Sequence, residues 1–373
     1  MSTTFVFFDA DQRTPLRGIE QLDARSTGLQ LAGSSDWSVS LQTLRGGLSE
    51  GVEVLDVCSG PLTIRLHPTR GMGIWYAESG PISLGWKSPV ARPVHPRHVD
   101  LGARQGLGWL DGFNELLCRC GLAFNGPPGV DPGARSPIES QLTLHGRIAN
   151  LPAHRLVAEI DPKGSGSISI TGVVDECTLF GPQLRLTSTL TIQAGASTFE
   201  IHDEVTNLAS TEAELELLYH INVGPPLLEA GDRLIAPPPT VVPPDPRPCG
   251  GVDSASDHLG PAPGYAEQAY FYRLQVNAAG WTQALLQNAA ANLGFSVAFE
   301  SHRLPWFTLW KCTQPTADGY VTGLEPGTNL PNFKAFEREQ GRVVRLAPGT
   351  SYQTDLRLAL LTTPAQVAAC AAE

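Results

Sequence analysis

Several features that would assign this chain to a class of protein are missing from its sequence. No run of like charges forms a tail, and no stretch approaches the ~20 apolar residues that a membrane-spanning helix needs. The N-terminus has no basic start followed by a long apolar segment, so no signal peptide is expected. The net charge of −11 disfavours binding to nucleic-acid phosphates. We therefore expect a soluble, cytoplasmic protein that binds neither membranes nor nucleic acid.

Motifs for nucleophilic and cofactor chemistry are also missing. The sequence contains no Gly-x-Ser-x-Gly elbow, and no phosphate loop or dinucleotide fingerprint follows a strand. We therefore expect no cofactor.

Cysteine and histidine give little support for a metal site. The 7 cysteines are irregularly spaced, and only Cys118-Arg119-Cys120 forms a close pair. A structural zinc ion needs four protein ligands in a closed site. Buried free thiols in a reducing compartment are the preferred interpretation. His67, His95 and His98 are an alternative ligand set, but Pro96 argues against a regular ligand-bearing element there. We expect no metal.

The composition and the residue pattern favour strands. The 38 glycines and 31 prolines are typical of many short strands joined by turns. Period-two alternation with β-branched residues is the strand signal. It recurs in Ser38–Leu44, Leu62–Leu66, Leu184–Ile192 and Glu214–Leu218. Val343–Leu346 and Tyr352–Leu358 are predicted to form a further strand pair, with a turn at Ala347–Gly349 between them.

Helical signals are confined to two segments, Gln283–Ala291 and a terminal helix over Pro364–Ala372 with proline in its first turn. The proline-rich segment 236–248 cannot lie inside a sheet. It is either a linker between domains or a long loop on one domain. Strand-like sequence of similar composition continues on both sides of it. We therefore predict a single domain over 1–373, with N-terminal strands in about 1–60 and a loop at 236–248.

Two residues are the main catalytic candidates. His220 follows an apolar strand and precedes Asn222 and a Gly-Pro-Pro turn, whereas Glu325 closes an apolar stretch before Pro326. A histidine and a carboxylate at the ends of separate strands can form an acid–base pair that moves protons on a polar substrate. The alternatives are a core histidine satisfied by the backbone and a surface carboxylate.

Further side chains are candidate sugar-binding groups. His145 and Arg147 flank Gly146, a residue that permits close approach of backbone or ligand. The guanidinium of arginine is a planar donor fork for hydroxyls or carboxylates. The alternative for this segment is an exposed β-turn. The remaining candidates are Arg70, Asn222, Lys311 and Trp310.

Four tryptophans provide flat faces of the kind against which the C–H faces of sugars pack. Plain core packing is the alternative, and we expect it for at least two of the four. They are Trp86, Trp109, Trp306 and Trp310.

Three segments, in this order, resemble those of the galactose mutarotase-like (aldose 1-epimerase-like) superfamily. Leu144-His145-Gly146-Arg147 resembles its Leu-His-Gly-Gly segment, whose histidine contacts the sugar. Tyr219-His220-Ile221-Asn222 resembles the segment that carries its general acid, and Gly323-Leu324-Glu325-Pro326 the one that carries its general base. Arg70-Gly71-Met72 and Trp109–Phe113 are more typical of an uncharacterised bacterial branch.

The resemblance implies an all-β β-supersandwich of two large antiparallel sheets with few short helices. It implies a sugar epimerase that interconverts anomers, or related sugar isomers, with Glu325 as base and His220 as cationic acid. The partner would be a monosaccharide or sugar derivative, and we allow for a homodimer. The alternative is a non-catalytic carbohydrate-binding or regulatory protein. A hydrolase would need a second carboxylate, for which Asp111 and Glu115 are the candidates.

Overall fold

The computed structural model describes residues 2–12, 19–32, 36–162, 166–237, 240–242 and 255–372. Within them, two large sheets and two small strand pairs are formed, and every pairing between named strands is antiparallel. The predicted fold class, an all-β sandwich with few short helices, is confirmed.

The first sheet has nine strands. In order across the sheet they are β1 (Thr3–Asp9), β11 (Arg155–Asp161), β12 (Ser167–Cys177), β13 (Gln183–Gln193), β14 (Thr198–Asn207), β25 (Ser351–Leu361), β21 (Gly294–Glu300), β20 (Trp281–Gln287) and β17 (Arg233–Ile235).

The second sheet has twelve strands. In order they are β18 (Thr240–Val242), β19 (Gln268–Arg273), β22 (Trp306–Cys312), β23 (Val321–Gly327), β16 (Leu218–Val223), β8 (Leu117–Cys120), β6 (Gly73–Ser79), β5 (Thr63–His67), β4 (Glu53–Cys58), β3 (Ser38–Thr43) and β2 (Gln21–Asp23), with β7 (Ile82–Leu84) added to β6.

The remaining elements are short. The strand pairs are β9 (Gly129–Val130) with β10 (Gln141–Leu142), and β15 (Ala213–Leu215) with β24 (Val344–Leu346). The helices are α1 (Ala24–Thr27), α2 (Ala103–Gly106), α3 (Pro137–Ser140), α4 (Lys334–Glu339) and α5 (Pro364–Ala371). No helix of the described residues is long and apolar enough to cross a membrane.

The main core lies between the two large sheets, because inward-facing residues of both belong to one buried apolar cluster. Strand β13 shows the pattern most clearly, since its buried leucines and isoleucine alternate with more exposed polar residues. Strands β16 and β23 differ in being buried on both faces. Their outer face is covered by a second apolar cluster that includes Trp109, Phe113 and Leu218.

A buried ion pair joins the sheets behind these strands. Arg119 on β8 contacts both carboxylate oxygens of Asp203 on β14, and the hydroxyl of Tyr219 donates to the same carboxylate at 2.7 Å. A buried guanidinium of this kind is tolerable only because its hydrogens have partners, which here include Ser188 at 2.8 Å. The pair fixes β8 and β14 relative to each other.

Three predictions about secondary structure need correction. Gln283–Ala291 is not helical, because its apolar side chains are buried in β20, which pairs with β21 along its whole length. The strands predicted over Val343–Leu346 and Tyr352–Leu358 exist but do not pair with each other. Instead β24 pairs with β15, and β25 lies between β14 and β21. The strand predicted over Glu214–Leu218 is divided between β15 and β16.

The terminal helix is confirmed as α5, whose N-cap Thr363 accepts from the backbone N–H of Gln366 at 3.3 Å. Most of the proline-rich segment 236–248 lies outside the described residues, although Thr240–Val242 within it pairs with β19. The single-domain organisation stays a prediction.

Candidate active site

His220 and Glu325 lie side by side on adjacent strands. The register that pairs Leu218 with Gly327 and Ile221 with Leu324 places His220 directly across from Glu325. Nε2 of His220 is 3.3 Å from Oε1 of Glu325. The two residues are only 5% and 2% exposed. Both lie inside β16 and β23 rather than at strand ends as predicted, because apolar segments continue the pairing on both sides.

Four rings surround the imidazole of His220 on the outer face of the sheet. The ring centre of Phe113 lies 4.9 Å away, Trp310 5.3 Å, His145 5.6 Å and Trp109 6.1 Å. Trp109 and Phe113 are buried, whereas His145 and Trp310 are partly exposed. The side of the pair that solvent can approach is therefore bounded by His145 and Trp310.

Asn222 sets the orientation of the His220 ring. Nδ1 of His220 lies 2.6 Å from Oδ1 of Asn222. The amide nitrogen of Asn222 donates to the backbone oxygens of Glu115 and His220, at 3.0 and 3.2 Å. Because that nitrogen faces two carbonyls, Oδ1 must be the acceptor and Nδ1 of His220 must carry a hydrogen. Nε2 is thus the nitrogen presented to Glu325.

Burial favours uncharged forms of both groups. It lowers the pKa of His220 to about 3, with a smaller contribution from His145 in the same direction. Burial also raises the pKa of Glu325 well above its usual value, and Glu267 adds to this. In the ligand-free pair, burial therefore favours the proton on the carboxyl group over a charged pair. The arrangement that the resemblance implies, with His220 cationic and Glu325 anionic, stays a prediction for the sugar-bound site.

His145 is held in a tight turn beside the pair. Its Nδ1 faces the backbone oxygen of Asn125 at 2.8 Å, which leaves Nε2 as an acceptor in the neutral ring. Burial lowers its pKa to about 4. The turn needs Gly146, which has φ +71°, and whose added Cβ would collide with the backbone oxygens of Phe124 and Gly121.

Three buried polar atoms around the pair have no hydrogen-bond partner among the described residues. They are Nε1 of Trp109, Oγ1 of Thr308 and Oε1 of Glu325, whose 3.3 Å contact with His220 is not an aligned hydrogen bond. Thr308 lies directly across from Glu325 in the β22–β23 ladder, so both side chains lie on the same face. Buried polar groups are normally satisfied, so these three atoms are available to a polar ligand.

The chain resembles known proteins in sequence and in fold. The family model described as "Domain of unknown function (DUF4432)" matches residues 49–360. The chain belongs to the DUF4432 family.

It is also 34% identical to a "putative aldose 1-epimerase" of Klebsiella pneumoniae, with a TM-score of 0.90 over 100% of this chain and 94% of that chain. A "galactose mutarotase-like protein" of Clostridium acetobutylicum is 16% identical, with a TM-score of 0.60 over 88% of this chain and 100% of that chain. At that identity the likeness shows the fold alone. The resemblance to the galactose mutarotase-like superfamily is confirmed. No curated protein matches the chain.

The structure does not bring Arg70 into contact with the acid–base pair. Its buried guanidinium donates to Glu115 at 2.6 Å and to Asn150 at 2.9 Å, and also to the backbone oxygens of Val94 and Gly112. Arg70 therefore supports the segment that carries Glu115, whose backbone oxygen in turn holds Asn222. Because the side chain is buried and most of its donors are engaged within the protein, the structure does not support direct sugar binding by Arg70. The side-chain amide of Asn222 is likewise engaged within the protein, where it orients the ring of His220.

Lys311 points away from the pair. Alternation along β22 places Trp310 on the outer face and Lys311 on the inner face, where its Nζ donates to the backbone oxygens of Ala255 and Asp257 at 3.0 and 2.6 Å. Arg147 is also apart from the pair. It is exposed, donates to Thr178 at 2.8 Å and lines a different cavity. Neither residue contacts His220 or Glu325, so the structure does not bring these two candidate sugar-binding groups to the pair.

The proposed second carboxylates for hydrolysis are engaged elsewhere. Asp111 pairs with the exposed Arg104 at 2.6 Å, whereas Glu115 pairs with Arg70 at 2.6 Å. Neither is a free partner for Glu325.

The described residues contain no group of three or more histidines, cysteines or carboxylates that could hold a metal ion. Cys118, directly across from His220 on β8, and Cys120 are buried free thiols, and burial raises the pKa of each. His67 is buried 5.4 Å from the ring of Trp75, and Nδ1 of His95 accepts from the backbone of Arg97.

Sequence reasoning missed Thr308 and Gly323 and treated Phe113 only as part of a family-like segment. A Cβ at Gly323 would collide with the carboxylate of Glu325, so glycine there leaves room for that carboxylate. The available signal was the strand register, since Thr308 and Gly323 face the same side of the sheet as Glu325.

Proposed function

We propose that this protein is a sugar epimerase that interconverts the anomers of an aldose, or closely related sugar isomers, with His220 and Glu325 as its proton-transfer pair. The observation that carries the proposal is the 3.3 Å approach of Nε2 of His220 to Oε1 of Glu325 beneath a ring-lined surface. The names of the structural relatives, one of them 34% identical over the whole chain, support the same class of reaction.

The reaction needs one proton taken and one proton given. One group removes the proton of the anomeric hydroxyl while the other protonates the ring oxygen, and the ring C–O bond breaks to give the open-chain aldehyde. Rotation of the aldehyde and the reverse proton movements close the ring on its other face. The pair starts and ends with a single proton, so no net proton enters from solvent.

The two groups can hold that proton in either of two arrangements. In the ligand-free site it lies on Glu325, because burial disfavours both charges. The roles implied by the family, with Glu325 as base and His220 as acid, require it on His220. Hydroxyls of a bound sugar would solvate both charges and favour that second arrangement. We therefore propose that the proton moves from Glu325 to Nε2 of His220 when the sugar binds.

The surroundings of the pair match a sugar. The partnerless atoms of Trp109, Thr308 and Glu325 offer donors and acceptors for hydroxyls. The partly exposed ring of Trp310 offers a flat face for C–H groups. Nε2 of His145 adds an acceptor at the open side.

A non-catalytic sugar-binding protein is the second candidate. It is favoured by one observation, the near-complete burial of His220 and Glu325 in contact with each other. A sugar must displace this contact or reach both groups from the open side. Binding alone does not require the sugar to contact both groups.

Screening free sugars by NMR tests the proposal. Exchange between the anomer signals should become faster on addition of the protein for at least one aldose. Binding of sugars without faster exchange, across neutral, acidic and phosphorylated members of the panel, would favour the second candidate.

A further inference from the structure

A cavity lies beside the candidate active site. Its volume is about 420 Å³, within the range of small-molecule sites. Gly146 and Arg147 line it, but His145, His220 and Glu325 do not. Since His145 and Arg147 flank the same glycine turn, the turn separates the two places.

The walls of the cavity are fixed by ion pairs. Arg338 on α4 binds Asp131 at 2.7 Å and Glu214 at 2.8 Å. Lys334, one helical turn earlier, lies 3.3 Å from Glu214 and donates to the backbone oxygen of Ala123 at 2.6 Å. These contacts tie α4 to β15 and to the segment after β9, so the cavity is bounded by elements that hold one another.

Arg147 differs from the other cations that line the cavity. Each of the other four, Arg135, Lys334, Arg338 and Arg345, lies within 4.0 Å of a carboxylate of the described residues. Arg147 has no such partner there, and its one side-chain hydrogen bond is to Oγ1 of Thr178 at 2.8 Å. Most of its planar donor fork is therefore available, and a carboxylate is the group that fits such a fork with two parallel hydrogen bonds.

No carboxylate on the walls forms an ion pair with Arg147 among the described residues. Burial raises the pKa of Glu176, although the charge of Arg147 acts on this carboxyl group in the lowering direction. Glu176 turns both oxygens to the backbone N–H groups of Leu122 and Ala123, at 2.8 and 3.4 Å. Glu139 and Glu212 pair with other arginines at the rim. Their remaining lone pairs can accept from hydroxyl groups. The cavity thus offers donors for a carboxylate and acceptors for hydroxyls.

We propose that this cavity binds a small polyhydroxylated carboxylate, the size of a monosaccharide acid, with its carboxylate on the guanidinium of Arg147. Binding in this cavity is independent of the anomer exchange proposed for His220 and Glu325. The class of ligand follows from the size of the cavity, its ten charged lining side chains and the unpaired fork of Arg147.

Glucuronate and glucose are suitable probes, because they differ in the carboxylate. Calorimetric titration of the whole protein should show binding of glucuronate, weakened by about tenfold or more in Arg147→Gln, since a charge-assisted pair of hydrogen bonds is lost. Arg147→Lys should be weakened as well, because the charge remains but the fork does not. Arg273→Gln removes an exposed arginine outside the cavity and should bind like the unmodified protein.

Three outcomes would overturn the proposal. Glucuronate that fails to bind the unmodified protein at millimolar concentration is one, and equal binding by Arg147→Gln is another. The third is binding that Glu325→Gln abolishes and Arg147→Gln leaves intact, which would place the acid at the acid–base pair instead. Anomer exchange of a neutral sugar, measured on Arg147→Gln, should be unchanged, so the failure of either assignment is visible separately.

Discussion

Asn222 presents its side-chain oxygen to Nδ1 of His220 at 2.6 Å, two residues along the same strand. The contact fixes the tautomer of a ring whose other nitrogen faces Glu325 at 3.3 Å. Because its own amide nitrogen is held by the backbone oxygens of Glu115 and His220, Asn222 cannot rotate without losing all three hydrogen bonds. The proposed proton-transfer geometry therefore depends on a residue whose side-chain amide is already engaged within the protein.

Replacing Asn222 should impair catalysis more than binding. Asn222→Ala allows the His220 ring to turn and its hydrogen to lie on Nε2 instead of Nδ1. We expect kcat for anomer exchange to fall by about tenfold or more, with little change in KM. This loss is part of the ~10²-fold or more that acid–base catalysis contributes to the rate. Asn207→Ala removes another buried amide, which binds backbone oxygens away from the site. A similar fall in kcat in both variants would show that Asn222 acts only through stability.

The pH dependence of exchange should show that the pair is buried. The pair binds a second proton only near the pKa of His220, which burial lowers to about 3. Activity should therefore persist at pH 4. Activity should fall on the alkaline side as the pH passes the raised pKa of Glu325. The measurement is kcat/KM for exchange between pH 4 and 10, with the buffer rate subtracted and folding checked by circular dichroism. An acidic limb near 4.5, the ordinary value for glutamate, would contradict the account.

The turn at Gly146 should tolerate no side chain. Gly280 also has positive φ, +82°, but a Cβ there would meet no atom within 4 Å. Gly280→Ala should cost about 1–2 kcal/mol from its backbone conformation. Gly146→Ala should cost about 1–3 kcal/mol more through collision with the oxygens of Phe124 and Gly121, and should slow exchange by displacing His145. Urea unfolding of the two variants measures the difference, and equal losses would refute the crowding at Gly146.

Glu216 should make the stability depend on pH. It is fully buried behind the site, it accepts from the backbone N–H of Asn125, and burial raises its pKa to about 7. The folded protein keeps a proton that the unfolded chain releases above about 4.5, so this stability is complete below 4.5 and is lost as the pH rises through 7. Between pH 5 and 7 the unmodified protein should lose about 1.4 kcal/mol per pH unit more than Glu216→Gln. Parallel free energies of unfolding in urea would argue against the raised pKa.

Much of the fold could be predicted from local pattern. The alternation in Leu184–Ile192 depends on one buried face, and β13 has it in full. The helix predicted over Gln283–Ala291 was wrong. Alanine and leucine favour helices in isolation, whereas burial between β17 and β21 makes the segment a strand. The pairing of Val343–Leu346 could not be read locally, since its partner β15 is distant in sequence.

The site was predicted less completely, for a physical reason. His145, His220 and Glu325 stand in recognisable segments, and the structure brings their side chains together. Arg70 and Lys311 have equally suggestive surroundings, but the groups that occupy their donors come from remote segments or from the opposite face of a strand. Such partners are set by the tertiary structure and leave no trace beside the residue itself.

Anomer exchange by Glu325→Gln, followed by NMR beside titration of the same sugar, tests the central claim most directly. The amide keeps the shape of the side chain but can neither release nor carry the shared proton, and His220→Asn removes the other half of the pair. We predict that each variant still binds the sugar and exchanges its anomers about 10²-fold or more slowly than the unmodified protein. Exchange at the unmodified rate in both variants would contradict the account.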